Sequence, residues 1–275
     1  IFSENLPTVA LVRSQQRAEA INASFFAMIS AASVMQLFKT DFSSIFALFF
    51  FLCLLVFHPL QWIGLKIGYQ SHKNMVDILN WILTKSLLII GTTVRFTETY
   101  PIPKNTSIIF VANHQGLFDI PPMIWYLRKY HTKFVSKIEL GKGIPSVSIN
   151  LRHGGAALIN RKDPKQALTE LKKFGQRVHD NKWSAAIFPE GTRSVTGKPK
   201  KFSFNGLKML VKYNPEAYIV PITINNSWKV FKYGKFPLGM FNKITINTHK
   251  PLKIDSLPVN ELLQKVEATI VSQIK

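Results

Sequence analysis

The sequence predicts an α/β fold, a mainly parallel sheet flanked by helices, with an N-terminal helical membrane anchor. Three observations predict it. Residues 20–38 and 43–65 hold no charged side chain, a concentration of apolar residues that suits lipid better than the interior of a small domain. Beyond residue 93, short runs rich in Ile, Val and Phe alternate with segments of helical periodicity, the pattern of strands joined by crossover helices. A length of 275 residues accommodates one such domain plus an appendage, dividing the chain into membrane-associated helices at 1–92 and an α/β domain at 93–275.

Taking the chain in order, Ile1–Ala10 lacks the basic stretch that opens a cleavable signal peptide. The run Ser43–Leu65 is long enough to cross about 30 Å of hydrocarbon as a helix. The earlier run, Ala20–Phe38, is richer in Ala and Ser and fits a second span, a surface helix or a soluble helix. Arg13 and Arg17 precede the first run and Lys66 and Lys73 follow the second, so a two-span hairpin would place both basic flanks on the cytoplasmic side. Between residues 73 and 91, Lys73, Asp77, Asn80 and Thr84 recur at helical spacing as one polar stripe. That segment reads as an interfacial helix edged by Trp81 and Lys85, or as a core helix against the sheet. Strands are predicted at 107–112, 133–136, 156–160, 184–188, 218–225 and 243–248, and helices at 122–129, 164–179, 206–213 and 259–274.

The formal charge of +20 is unevenly placed: residues 1–100 hold seven basic against five acidic side chains, and residues 101–275 hold 28 against 10. A field of that sign favours an anionic membrane or an acidic carrier. Nucleic acid is not expected, because the chain has no zinc-finger spacing and no aromatic RNA-binding signature. Cys53 is the only cysteine and the His residues show no paired ligand spacing, so neither a disulfide nor a metal site is expected.

Chemistry-bearing residues gather at predicted strand ends. The run Ser107–Ala112 breaks into Asn113-His114-Gln115-Gly116-Leu117-Phe118-Asp119. Five residues apart on a regular helix, His114 and Asp119 would point about 140° away from each other, so a contact between them requires one to lie off the helix. In contact, the carboxylate fixes the imidazole tautomer and leaves the other nitrogen free to take a proton, a general base without a protein nucleophile. A second strand end, the run Ser184–Ile187, opens into Phe188-Pro189-Glu190-Gly191-Thr192-Arg193-Ser194.

These two blocks, with Gly155–Arg161 and Ile219-Val220-Pro221-Ile222, resemble in order and spacing the glycerolipid acyltransferases that make phosphatidic acid from 1-acylglycerol 3-phosphate. The likeness covers roughly residues 95–250. It departs from the family at Gly116, where many members have Ser, and at Leu158, which replaces a common Phe. The resemblance implies acyl transfer from acyl-CoA or an acyl carrier protein thioester to a glycerol hydroxyl of a lysophospholipid, with no cofactor. It implies that His114 is the base, oriented by Asp119. Arg193 suits the acceptor phosphate, with Arg161 and Lys137 as further phosphate contacts. Gly191 allows close backbone approach, Thr192 belongs to the same substrate-binding turn, and Glu190 holds an arginine or touches the glycerol. Val220 and Pro221 are implied to shape the acyl pocket, Pro221 at a bulge, and Lys208 to touch the carrier. Trp228, Phe231, Tyr233 and Phe236, interleaved with lysines, read as an interface-seeking loop or as aromatic packing. The alternatives are an acyltransferase for another lysolipid or for glycerol 3-phosphate, a non-catalytic protein of anionic membranes, and an acyl hydrolase.

Overall fold

The computed structural model describes residues 6–275; the signal-peptide reading at Ile1 therefore lies partly outside the described residues. Helix α1 (Leu6–Ile67) is one uninterrupted helix of 62 residues, about 90 Å at 1.5 Å per residue. Both apolar runs lie on it, so there is no hairpin, and the flanks holding Arg13 and Lys66 stand at opposite ends of one rod. No turn former separates the runs: the linking residues Lys39–Phe42 include no Gly or Pro to break the ladder. Its part Ala32–Ile67 is long and apolar enough to cross a membrane; its most apolar 18-residue stretch has a mean hydropathy of 2.2, and only 22% of that stretch is buried. From Phe46 onward one stripe of α1, Phe46, Leu54 and Phe57, packs inward, while Ile45, Leu48, Phe51 and Leu52 remain exposed.

Gly68 breaks the rod and starts α2 (Tyr69–Ser86), which folds back on α1. The polar stripe of α2 faces inward. Asp77, Asn80 and Thr84 are buried, whereas Ile78 and Trp81 are exposed. Burial is tolerated because each polar group finds a partner on its own helix: Lys73 Nζ meets Asp77 at 2.5 Å, Asn80 Nδ2 donates to Val76 O, and Thr84 Oγ1 donates to Asn80 O.

The remaining chain builds an eight-stranded sheet. Its strands are β1 (Thr93–Glu98), β2 (Ile108–Ala112), β3 (Thr132–Lys137), β4 (Ala157–Ile159), β5 (Ser184–Ile187), β6 (Tyr218–Asn225), β7 (Lys243–Thr248) and β8 (Leu252–Lys253). The order is β1-β7-β6-β2-β5-β3-β4, with β8 pairing the start of β6 along the same edge as β7. Five strands, β6 to β4, run parallel; β7 and β8 run antiparallel to β6, and β1 follows β7. Short β1, β8 and the helix α4 (Val147–His153) escaped the sequence pattern, being too brief or too polar to show a period.

Alternation along β2 assigns the faces. Ile108, Phe110 and Ala112 join Phe46, Leu87, Ile90 and Met123 of α3 (Ile120–Tyr126) in one core. Ile109 and Val111 join Phe174 of α5 (Pro164–Asp180), Leu207 of α6 (Asn205–Lys212) and Val266 of α7 (Val259–Val271) in the other. The parallel strands all end on the same side, where the loops after β2, β5 and β6 meet.

Candidate functional site

At the end of β2, Asn113 clamps the chain to β6: its Nδ2 donates to Ile224 O at 2.8 Å and its Oδ1 accepts from Ile224 N at 2.7 Å. The next residues run extended through Gly116 into a 3-10 turn at Leu117–Asp119, which swings the carboxylate back over the loop. This solves the five-residue spacing, since His114 lies off the helix. Asp119 Oδ2 accepts from His114 Nδ1 at 2.7 Å, from Gln115 N at 2.7 Å and from Gly116 N at 2.9 Å. Its Oδ1 accepts from the hydroxyl of Ser227. The carboxylate is fully buried, and the imidazole lies flat against Phe188, centroids 4.2 Å apart. A donor at Nδ1 leaves Nε2 as the proton-accepting atom.

The turn after β5 is bound to the same loop. Gly191 N donates to Phe188 O at 3.0 Å with φ +71°, a left-handed conformation that glycine adopts without strain. Ser194 N donates to His114 O at 2.8 Å, and Glu190 Oε1 accepts from His114 N at 2.7 Å. The other oxygen of Glu190 accepts from Lys200 N at 2.9 Å. Both carboxylate oxygens thus hold main-chain amides, and neither an arginine nor open cavity faces them. This corrects the expected substrate contact, because the half-buried carboxylate is taken up by main-chain donors, one on the loop after β2 and one at Lys200. Burial pushes its pKa up, and the two amides oppose that shift. Lys200 Nζ donates to Thr192 Oγ1 at 2.7 Å and to Arg193 O at 2.9 Å, fastening the turn.

One cavity of about 1180 Å³ connects these parts. His114 lines it together with Gly191, Thr192, Arg193, Arg161 and Lys137. The three cations are exposed at its rim; desolvation lowers the pKa of Arg161. The apolar part is lined by Phe50 and Leu54 of α1, Leu79 and Leu83 of α2, Phe134 and Val147. Lys208 lines the cavity as well. Val220 and Pro221 do not. They lie within β6, fully packed, with no bulge: the register to β2 is continuous from Tyr218 to Ile222. Pro221 is accommodated because its other edge falls between the partners β8 and β7, where no N–H is required. Side chains from α1 and α2, not β6, supply the apolar wall.

The aromatic loop after β6 divides. Phe231 stacks on Phe118 with centroids 5.6 Å apart, and Trp228 packs over Gly197, while Tyr233 and Phe236 remain exposed beside α1. Sequence reasoning overlooked Asn113, Phe188 and Ser227 as parts of the site. The position of Ser227 just past a parallel strand's C-terminal end was the available signal.

A family model described as acyltransferase matches residues 93–225. The 1-acyl-sn-glycerol-3-phosphate acyltransferase of Borreliella burgdorferi is 31% identical over 179 residues, 64% of this chain and 67% of that protein. The protein of the same name from Saccharomyces cerevisiae is 25% identical over 230 residues, 79% of this chain and 67% of that protein. The chain spans about half the length of algal and plant relatives, 50% for Chlamydomonas reinhardtii and 45% for Brassica napus. The crystal structure of the 1-acyl-sn-glycerophosphate acyltransferase PlsC from Thermotoga maritima superposes with a TM-score of 0.69 at 21% identity. It covers 87% of this chain and 95% of that one, and shows a shared fold. With the matched segment carrying the His114–Asp119 pair and the Glu190–Arg193 turn, the chain belongs to the acyltransferase family of the 1-acyl-sn-glycerol-3-phosphate acyltransferases.

Proposed function

We propose that this enzyme transfers a fatty acyl group from an acyl thioester, acyl-CoA or an acyl carrier protein, to the sn-2 hydroxyl of 1-acylglycerol 3-phosphate, giving phosphatidic acid. The observation that carries this reading is the opening of His114, held by Asp119, into the same cavity as Arg193, Arg161 and Lys137. Nε2 of His114 removes the hydroxyl proton as the oxygen attacks the thioester carbonyl. The new C–O bond forms, the C–S bond breaks, and the imidazolium returns the proton to the departing thiolate. No protein nucleophile and no cofactor takes part. Rim cations hold the acceptor's phosphate, and the apolar wall from α1 and α2 takes acyl chain.

The anchor α1 keeps the enzyme at an anionic membrane, with the basic domain on the cytoplasmic face, the side that Lys66 and Lys73 at the end of the apolar stretch favour. The test is a transfer assay with labelled oleoyl and palmitoyl thioesters against lysophosphatidic acid and a panel of other lysolipids. His114→Ala lowers transfer by about a thousandfold or more while leaving the thermal transition in place. Wild-type turnover in that variant removes the catalytic role, and preference for another lysolipid moves the acceptor assignment.

A further inference from the structure

The hydrogen bonds around Asp119 are unevenly divided. Three N–H groups converge on Oδ2, whereas Oδ1 has one partner, the hydroxyl of Ser227. The carboxylate is fully buried, and Ser227 is too. Bonds to one oxygen pin that atom but leave the carboxylate plane free to turn about it, because the terminal torsion of Asp is broad. The second oxygen sets the plane, and with it the direction in which Oδ2 presents its lone pair to His114 Nδ1.

Gly116 lies against the same hydroxyl. A Cβ built on Gly116 would stand 3.2 Å from Ser227 Oγ and 3.1 Å from Ser227 O, so a side chain there enters the space that this hydroxyl fills. Backbone strain is not what requires glycine, since Gly116 is extended at φ −161° and ψ 174°, a conformation open to any residue. The hollow beside Oδ1 holds the hydroxyl of Ser227, and a side chain at 116 would stand at its edge. Gly116 is also the departure from the family pattern noted in the sequence.

We propose that Ser227 is a positioning residue of the catalytic base, acting through Asp119, and that residues 116 and 227 are interchangeable sources of one required hydroxyl. This rests on the reading of His114 as the base. Ser227 is held independently of its hydroxyl: Asn226 Nδ2 donates to Lys243 O at 3.0 Å, Leu238 N donates to Ser43 Oγ at 2.9 Å, and Phe231 stacks on Phe118. Removing the hydroxyl therefore leaves the loop in place and frees only the carboxylate.

The experiment compares wild type, Ser227→Ala, Gly116→Ser and the double variant. Ser227→Ala lowers kcat by about tenfold to thirtyfold, with both KM values within about twofold, because a buried charged oxygen loses its only donor. Gly116→Ser alone also lowers kcat, since two side chains compete for one hollow. The double variant returns kcat to within about threefold of wild type, the backbone giving a few tenths of an ångström near Ser227 O. A second readout is independent of substrate: the downfield proton resonance of His114 Nδ1–H in ¹⁵N-histidine-labelled enzyme moves upfield in Ser227→Ala and returns in the double variant. An unchanged resonance and kcat in Ser227→Ala overturns the proposal, as does a double variant no better than Ser227→Ala. Absence of transfer by wild type refutes the functional reading instead, and the resonance alone then decides the role of Ser227.

Discussion

Arg193, Arg161 and Lys137 sit exposed at the cavity rim, where none forms an ion pair with a carboxylate among the described residues. On the proposed reading a cation placed so binds the acceptor's phosphate without moving the reacting atoms. Arg193→Ala is therefore expected to raise the acceptor KM about tenfold with kcat within about twofold, measured by steady-state assay at saturating thioester. At the other end of the cavity, level with the start of β2, Lys133 is 9% exposed, its ammonium 4.8 Å from the ring of Tyr69 and 4.7 Å from that of Trp183. Burial holds its pKa down to about 8, against a model-peptide value near 10.4. Between these two values the unfolded chain binds the proton and the folded one does not, so stability rises with pH from about 8 to 10.4, by up to about 3 kcal/mol. Thermal scans across that window check this, and Lys133→Met flattens the rise. The His114–Asp119 pair was legible because both partners sit within seven residues of one strand end. Ser227 was not, since it is 108 residues away and only the sheet brings β2 and β6 together.

Helix α2 shows what periodicity conveys and what it omits. Its polar stripe was legible at 73, 77, 80 and 84, but a stripe specifies a face without saying which solvent that face meets. In water the polar face would turn out. Here the apolar residues Ile78 and Trp81 are outermost, while Asp77 and Asn80 point into the cavity wall with their hydrogen bonds met locally. Leu79 and Leu83 pack against Leu54 and Phe57 of α1. Leu83→Ala is expected to cost about 2–5 kcal/mol in unfolding, whereas Ile78→Ser leaves unfolding almost unchanged and weakens binding to lipid vesicles. A calorimetric scan paired with vesicle flotation separates the two faces. Most other elements were legible, β6 and β7 to the residue, since each is a hydrophobic run of proper period between turn formers. The acyl pocket was misplaced onto Val220 and Pro221 for the reason that a buried strand and a cavity wall look alike in a sequence.

For the molecule as a whole, two forces act on different parts. On the proposed reading the apolar stretch Ala32–Ile67 binds lipid by excluding water, and the basic domain by attraction to anionic headgroups, which about 1 M salt screens within a few ångströms. A salt wash is expected to leave the full chain on membranes, as is a carbonate wash; release of intact protein by carbonate contradicts the anchor. The two apolar runs were legible in the composition, but the continuity of α1 was not. Composition shows two runs, and only the absence of a breaker between them joins them.

Phe50 and Leu54 belong to the rod proposed to hold the protein in lipid, and they also face the cavity onto which His114 opens. Trimming that rod to obtain a freely dissolved enzyme would tear out one side of the reaction chamber, and water would reach the thioester. Detergents and inhibitors that insert between the rod and the sheet should accordingly disable the enzyme without touching the histidine.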